Sequence, residues 1–326
     1  IKTDFTGEKE WSQVYGGKKD DYGWGVTEAF DGGYVIVGET FSFGNGQSDI
    51  YLFKVDSLGH KIWDNTFGGI AEDVGYSIAN ADDGGFVVAS QTRSYGKGGS
   101  DGMLVKFDQN GKKEWEKVYG GKGLDYFRSI IKDSTKGFVV SGGTRSFSNG
   151  DSQAWLISVD ENGFVIWENT YGDNKEDGFD MVKQTKTNGY IAVGHSSSFF
   201  SSGSNDVFMA RIDSLGKKIW QKYHGGKNDD RGYAISQCSD GGYIIAGETA
   251  SYGKGKNDIL VIKTNSIGDK KWMSTFGGNG VDIGRSIKEL PRGGFIITGT
   301  STISNLSFDA IMIKTNEKGE SGNYSR

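Results

Sequence analysis

The chain has 326 residues, including 53 glycines and the single proline Pro291, and it carries a net charge of −5 at pH 7. Because 13% of the residues are aromatic, the composition excludes a disordered chain, and the lack of a three-residue glycine period excludes collagen. The acidic balance without a basic cluster argues against nucleic acid as a partner, and no apolar run is long enough for direct membrane insertion of a helix.

A repeat of about 52 residues runs through the chain. Four residues after a repeated tryptophan comes a ring followed by glycine, as in Tyr15-Gly16 and Phe67-Gly68, and an aspartate then recurs in frame. The tryptophans are Trp11, Trp63, Trp115, Trp167, Trp220 and Trp272. The aspartates are Asp21, Asp73, Asp125, Asp177, Asp230 and Asp282. Agreement across six copies indicates one structural unit used six times.

Each repeat predicts four strands joined by tight turns. In the first full copy these strands are Trp24–Phe30, Tyr34–Thr40, Asp49–Asp56 and Lys61–Phe67. The second is rich in β-branched residues, and glycine-bearing turns follow the first and third. No segment has a sustained 3.6-residue apolar period, so helices should be scarce. Four antiparallel strands per repeat predict an all-β, six-bladed β-propeller.

The ends of the chain predict how the ring of blades closes. Ile1-Lys2-Thr3-Asp4 matches a third strand, Lys9–Tyr15 supplies a fourth, and the last copy has only a degraded fourth strand over Glu320–Arg326. We therefore expect residues 1–11 to complete the last blade and remove two exposed sheet edges. The prediction is one domain, 1–326, with repeats at about 12–63, 64–115, 116–167, 168–220, 221–272 and 273–326.

The repeat resembles the SBBP-type β-propeller repeat of bacterial and archaeal surface and secreted proteins. The segments that carry the resemblance in one copy are Trp63–Gly69, Asp73–Ile78, Asp83–Thr92, Asp101–Asp108 and Gly111–Trp115. Departures are local, such as Gln153 where other copies have aspartate. The resemblance implies a propeller in an extracytoplasmic setting, secreted or on the cell surface, but no particular activity.

Residues kept in every copy are interpreted first as structural. We expect each repeated tryptophan to lie between adjacent blades. The aspartates that precede the first strands should accept hydrogen bonds from turn N–H groups, the alternative being a ring of cation-binding carboxylates. The same interpretation applies to a second set at the start of the third strands, Asp49, Asp101, Asp206, Asp258 and Asp309. The lone Cys238 cannot form an internal disulfide.

Function is sought where the copies differ. One position in the first strand varies among aromatic, arginine and aspartate residues, and it is occupied by Trp24, Tyr76, Arg128, Asp180, Tyr233 and Arg285. The position two residues later is always apolar, as in Val26, and predicts core. The variable set suits the mouth of a central channel that binds sugars or peptides, the alternative being a solvated, plugged channel. Phe200, an extra ring in one long loop, is a further candidate binding residue.

Enzyme signatures are sparse. The chain has three histidines, His60, His195 and His224, and none lies in an HExxH, GxSxG or phosphate-loop motif. We therefore expect a non-enzymatic binding or scaffold module that recognises a glycan or protein at the cell surface, without cofactor or metal. We expect a monomeric domain, either alone or as part of a larger chain. The alternatives are a glycan lyase or hydrolase using carboxylates such as Asp180 and Glu176, and a purely structural spacer.

Overall fold

The structure is a computed structural model. It describes residues 1–4, 6–135, 137–148, 151–173, 175–197, 204–304 and 307–322. These residues form strands and turns without a helix, so the described part of the chain has no helix able to span a membrane. Most strands have seven to nine residues, and glycine-bearing turns follow many of them, as the repeat predicts.

The strands follow one another in six similar groups. The first group and the hairpin before it contain β1 (Lys2–Thr3), β2 (Lys9–Trp11), β3 (Asp21–Glu28), β4 (Tyr34–Thr40), β5 (Asp49–Val55) and β6 (Lys61–Phe67). The next two groups contain β7 (Asp73–Asn80), β8 (Phe86–Thr92), β9 (Asp101–Phe107), β10 (Lys113–Tyr119), β11 (Asp125–Asp133), β12 (Gly137–Thr144), β13 (Gln153–Val159) and β14 (Val165–Tyr171). The last three contain β15 (Asp177–Gln184), β16 (Tyr190–Ser196), β17 (Asp206–Ile212), β18 (Lys218–His224), β19 (Asp230–Gln237), β20 (Tyr243–Thr249), β21 (Asp258–Thr264), β22 (Lys270–Phe276), β23 (Asp282–Glu289), β24 (Phe295–Ser304) and β25 (Ser307–Thr315).

Each group is one antiparallel sheet whose strands lie side by side in chain order. Among the described residues, five sheets have four strands, and the sixth has β23, β24 and β25 with a single bridge from Thr315 to Ser321 at its edge. This is the arrangement of a six-bladed β-propeller, and the predicted fold class is confirmed. The strands β4 and β6 have the predicted bounds, whereas β3 begins at Asp21, three residues before the predicted start.

The chain divides into two compact units. One contains residues 1–150 and 157–168, and the other contains residues 151–156 and 169–326. In the first unit β1 pairs with β2 in the register of a third and fourth strand, because Lys2 lies opposite Trp11 as Lys54 lies opposite Trp63. Closure of the ring by residues 1–11 and the single-domain interpretation stay predictions.

Within each unit, the first strand of a sheet packs on the second strand of the preceding sheet. In the first unit β7 packs on β4 and β11 on β8, and in the second β19 packs on β16 and β23 on β20. Ile78 is buried in this way against Val35 and Val37. The equivalent residues Ile130, Val182, Ile235 and Ile287 are buried as well. The core therefore lies between consecutive sheets, as the repeated apolar residues predict.

Val26 departs from this rule, and the prediction that it belongs to the core is wrong. Its side chain is 65% exposed, whereas Ile78, at the same place in the next sheet, is 8% exposed. The reason is the sheet that precedes each first strand in the chain. Ile78 follows a sheet with a second strand to pack on, but within the first unit β3 follows only the hairpin β1–β2.

Candidate functional site

The six variable first-strand positions share one backbone feature. In the pairing of β3 with β4, Gly23 lies opposite Gly38 and Gly25 opposite Val37, so Trp24 is left without a partner. The same shift occurs in the other five first strands, and the residues at which the register shifts are Tyr76, Arg128, Asp180, Tyr233 and Arg285. Such a β-bulge bends the strand and redirects a side chain, and bulges are common beside functional sites.

A glycine opposite the bulge makes room for it. A side chain on Gly38 would clash with the carbonyl oxygen of Tyr22, because the two backbones approach closely there. The same close approach occurs at Gly142, Gly194, Gly247 and Gly299. In five sheets a glycine therefore accommodates the close approach at the bulge, whereas in the sheet of β7 and β8 Ser90 lies at this place, opposite Gly75.

In the first unit the bulged residues of three sheets come together in a row. The Trp24 ring lies 5.9 Å from the Tyr76 ring, and the Arg128 guanidinium carbon lies 3.9 Å from the Tyr76 ring centroid. The stacked ring of Tyr22 extends the row at 6.1 Å from Trp24, and Tyr126 lies 5.1 Å from the Arg128 guanidinium. We call these five residues the aromatic row.

The aromatic row is accessible at one end. The side chains of Tyr22 and Trp24 are each 47% exposed, while Tyr76 and Arg128 are partly buried. Sequence reasoning singled out three members and missed Tyr22 and Tyr126, which precede the bulge by two residues. The sequence did mark this position, because the residue there differs among the six copies and is tyrosine in only two of them.

In the second unit the other three bulged residues lie among polar groups. The Arg285 guanidinium carbon is 4.6 Å from the Tyr233 ring centroid, and the Tyr233 hydroxyl donates a 2.5 Å hydrogen bond to Glu248. His195 Nδ1 lies 3.4 Å from Asp180 Oδ2, and both side chains are 19% exposed. These five residues form the polar cluster. Sequence reasoning selected the three bulged members, noted His195 at its strand end, and missed the role of Glu248.

The polar cluster perturbs one titratable group strongly. Burial raises the pKa of the Tyr233 hydroxyl well above its usual range, and the charges of Glu248 and Asp180 raise it further. Tyr233 therefore acts at neutral pH as a hydrogen-bond donor. The second oxygen of Glu248 accepts a 3.0 Å hydrogen bond from Asn257 Nδ2, which fixes the carboxylate.

Rings of the long loops hold these loops against the sheets. The Tyr95 hydroxyl donates to the carbonyl of Gly68 at 2.9 Å, and the Tyr252 hydroxyl donates to that of Gly225 at 2.8 Å. Phe43 instead packs against Tyr51, with ring centroids 5.6 Å apart. Phe200 lies outside the described residues, and its predicted role in binding stays a prediction.

The repeated aspartates accept turn hydrogen bonds. Asp21 Oδ2 accepts the N–H of Gly17 at 2.7 Å and also accepts the hydroxyl hydrogen bond of Ser42 at 2.8 Å, and Asp73 repeats this with Gly69 and Ser94. The predicted hydrogen bonds from turn N–H groups are confirmed for all six aspartates. In the part of the chain that the structure describes, no three or more His, Cys, Asp or Glu side chains are grouped so as to hold a metal ion.

Comparison with known proteins shows likeness in fold and in one short segment. No family model matches the chain. The regulatory protein FlaEY of Caulobacter vibrioides is 27% identical over 134 residues, which are 37% of this chain and 14% of the relative, so the match spans a small part of that relative's length. Membership of the SBBP-type family therefore stays a prediction.

Solved structures share the fold at low sequence identity. An α-L-arabinofuranosidase of Fusarium graminearum, with an iminosugar inhibitor, has a TM-score of 0.55 at 12% identity, covering 89% of this chain and 92% of that one. A structure of the Fusarium enzyme with arabinobiose gives 0.55 at 11% identity and the same coverage. Sqt1 of Chaetomium thermophilum has a TM-score of 0.52 at 9% identity, covering 91% and 69%. These likenesses concern the fold alone.

Proposed function

We propose that this chain is an extracytoplasmic glycan-binding module and that the aromatic row of the first unit holds the sugar. The observation that carries the proposal is the half-exposed Trp24 ring, which continues into Tyr76 and the Arg128 guanidinium. Aromatic faces offer apolar contact area at little cost in side-chain entropy, and an arginine offers several N–H donors in a fixed geometry. Together they suit the apolar face and the hydroxyl oxygens of a sugar.

The bulges support a binding role over a purely structural one. A residue that only filled space would be expected to keep one chemical type, yet the copies place tryptophan, tyrosine, arginine and aspartate at one bulged position. A protein partner is the runner-up ligand, because tryptophan, tyrosine and arginine also dominate protein interfaces. The fold likeness to a structure that holds arabinobiose gives the first sugars to test.

The double substitution Trp24→Ala with Tyr76→Ala tests the binding site. Removing two stacked rings should weaken binding of arabino-oligosaccharides, measured on a glycan array and by calorimetry, by at least about tenfold, since each ring contact contributes of the order of 1 kcal/mol. The matched control is Phe30→Ala, because Phe30 is 73% exposed in the same unit and lies outside the row. Equal binding by both variants, or no array glycan bound by the unaltered protein, would contradict the proposal.

Glycoside hydrolysis is the second candidate function, favoured by the polar cluster. Hydrolases use two carboxyl groups, one as acid and one as nucleophile or base, and Asp180 and Glu248 both lie beside Tyr233. The imidazole of His195 beside Asp180 could fix the orientation of that carboxyl group.

Release of 4-nitrophenol from 4-nitrophenyl arabinoside and galactoside separates the two functions. Under the binding proposal the protein gives no turnover above buffer. Turnover that falls at least about 100-fold in Asp180→Asn, but not in the control Glu176→Gln, would establish the hydrolase instead, because Glu176 is an exposed acid outside the cluster.

A further inference from the structure

A cavity of about 730 Å³ opens between the last two sheets of the second unit, at the end where turns join their first and second strands. One wall is formed by the turn between β19 and β20 with residues of β21 and β22, and the other by the turn between β23 and β24. The structure describes every residue of this lining, and none of them belongs to the polar cluster. The volume is within the range of about 300–1,000 Å³ that is usual for sites of small ligands. We call this space the turn cavity.

Hydrogen bonds and ion pairs fix the shape of the turn cavity. In the wall next to β19, Asp240 accepts hydrogen bonds from the ammonium groups of Lys263 and Lys271, each at 2.9 Å, and the Lys263 side chain is 7% exposed. The two walls are joined by Ser239, whose N–H and hydroxyl donate to the two oxygens of Glu289 at 2.7 and 2.9 Å. The walls are therefore held by the protein's own contacts, and such preorganisation lowers the entropic cost of binding.

The turn between β23 and β24 departs from the repeat. In three other copies the aspartate of this turn pairs with the lysine of the third strand, as Asp83 pairs with Lys106 at 2.7 Å. Here Arg292 stands in the place of the aspartate, and Lys314 stands in the place of the lysine. Because two positive charges cannot form that pair, Arg292 does not tie the turn to its own sheet. Its exposed side chain lines the cavity instead.

The same turn contains Pro291, the single proline of the chain. It precedes Arg292 in a turn that the Gly293 N–H closes onto the Leu290 carbonyl at 3.0 Å, and the fixed φ of proline stabilises such a turn. Glu317, from the turn after β25, lies against Gly293 and also lines the cavity. Within the part of the chain that the structure describes, neither the Arg292 guanidinium nor the Glu317 carboxylate has a hydrogen bond or an ion pair. Both groups are therefore available to a ligand.

The lining combines an apolar ring with charges that balance. The Trp272 ring is partly buried, and its centroid lies 5.8 Å from that of the Phe295 ring. The charged groups are three cations, Lys263, Lys271 and Arg292, and three carboxylates, Asp240, Glu289 and Glu317. A strongly charged ligand would therefore meet as many like charges as opposite ones. Hydroxyl groups suit both kinds, because a hydroxyl donates to a carboxylate and accepts from a cation.

We propose that the turn cavity is a second binding site, one that takes a neutral oligosaccharide. The Trp272 ring offers contact area for the apolar face of a sugar, the Arg292 guanidinium donates to hydroxyl oxygens, and the Glu317 carboxylate accepts from hydroxyl groups. The site lies in the second unit and shares no residue with the aromatic row, so its ligand need not be the ligand of the row. Either site can be lost without the other.

Calorimetry with neutral hexasaccharides tests the turn cavity in the full chain. The probes are cellohexaose, xylohexaose, maltohexaose and arabinohexaose, and hexagalacturonate is the charged comparison. At least one neutral probe should bind, and the double substitution Arg292→Ala with Glu317→Ala should weaken that binding by at least about tenfold, because hydrogen bonds to charged groups are lost. Since neither side chain bonds to another described residue, this variant should fold with an unchanged midpoint of thermal unfolding. Lys318→Ala is the matched control, because Lys318 is exposed in the same turn as Glu317 and lies outside the cavity.

The substitution of Trp24 and Tyr76 by alanine separates the turn cavity from the aromatic row, because it should leave affinity at the cavity unchanged. Binding that is lost in this row variant but kept in the cavity variant would overturn the turn cavity and leave the proposed function standing. The converse result would support the turn cavity and contradict the role of the row. The proposal is also overturned if no neutral probe binds at about 10 mM, if Lys318→Ala weakens binding as much as the cavity variant does, or if hexagalacturonate binds the cavity more tightly than every neutral probe.

Discussion

His224 replaces a tyrosine of the repeat and keeps its inter-sheet hydrogen bond. In three other copies a tyrosine hydroxyl donates to a glycine carbonyl of the next sheet at 2.6 Å, as Tyr119 does to Gly163 and Tyr171 to Gly216. His224 Nε2 lies 3.0 Å from the carbonyl oxygen of Gly268, the equivalent acceptor. His224 therefore keeps the packing role of the ring that it replaces. Burial lowers the pKa of His224 below that of a free histidine.

This lowered pKa predicts how stability depends on pH. As the pH falls below about 6.5, the unfolded chain binds a proton at His224 that the folded chain does not, so the free energy of unfolding decreases. One proton contributes at most about 1.4 kcal/mol per pH unit. His224→Tyr should therefore lose less stability than the unaltered protein between pH 7 and pH 5, as measured by urea unfolding.

The control for this prediction is His60→Tyr. The side chain of His60 is 69% exposed, so this variant shows what the loss of a solvent-accessible imidazole does to the same stability curve. Parallel stability curves for His224→Tyr and the unaltered protein would show that burial of His224 does not govern the effect.

At the scale of the strand, alternation and turn residues predict the elements well, and the bulge explains the main error. The strand β3 begins at Asp21 rather than Trp24 because the pairing continues through Gly23 and Gly25 on both sides of the bulge. Glycines in a strand usually weaken it, so the sequence suggested a later start. The residues at the bulge could nevertheless be singled out from the sequence, because they vary among the copies while the position two residues later is always apolar.

The third strands also contain a charged residue whose role the sequence pattern does not explain. A lysine interrupts each of several apolar strands, and it reaches back to the aspartate of the turn between the first and second strands. Lys106 is 3% exposed and lies 2.7 Å from Asp83 and 2.8 Å from Glu114. Lys263 pairs with Asp240 at 2.9 Å in the same way. Such a pair fixes a turn against its own sheet, and a partner more than 20 residues away cannot be inferred from local periodicity.

The contacts within the candidate site could not be predicted from the sequence, for a related reason. Trp24, Tyr76 and Arg128 come from three different sheets, so their proximity depends on how consecutive sheets pack. The 52-residue register places them at equivalent positions but gives no distance between them. The pairing of His195 with Asp180 depends in the same way on the cross-strand register of β15 and β16.

At the scale of the whole molecule, one contact recurs between consecutive sheets and accounts for part of the glycine excess. The repeated tryptophan of one sheet lies against a turn glycine of the next, which explains why the turn lacks a side chain. A Cβ on Gly111 would lie 2.7 Å from Cζ3 of the Trp63 ring. The same contact joins Gly59 to Trp11, Gly163 to Trp115, Gly268 to Trp220 and Gly319 to Trp272. These five tryptophans therefore lie between adjacent sheets, as predicted for each copy.

Two glycine substitutions should separate this contact from backbone strain. Gly111 and Gly32 both have a positive φ, +80° and +82°, but a Cβ on Gly32 would meet nothing within 4 Å. Gly32→Ala should therefore cost only about 1–2 kcal/mol of unfolding free energy, the strain of the left-handed conformation. Gly111→Ala should cost about 1–3 kcal/mol more, because the methyl group must displace the Trp63 ring and Asn65. Urea unfolding followed by tryptophan fluorescence measures the difference, and equal losses in the two variants would show that the contact between Trp63 and Gly111 contributes nothing to stability.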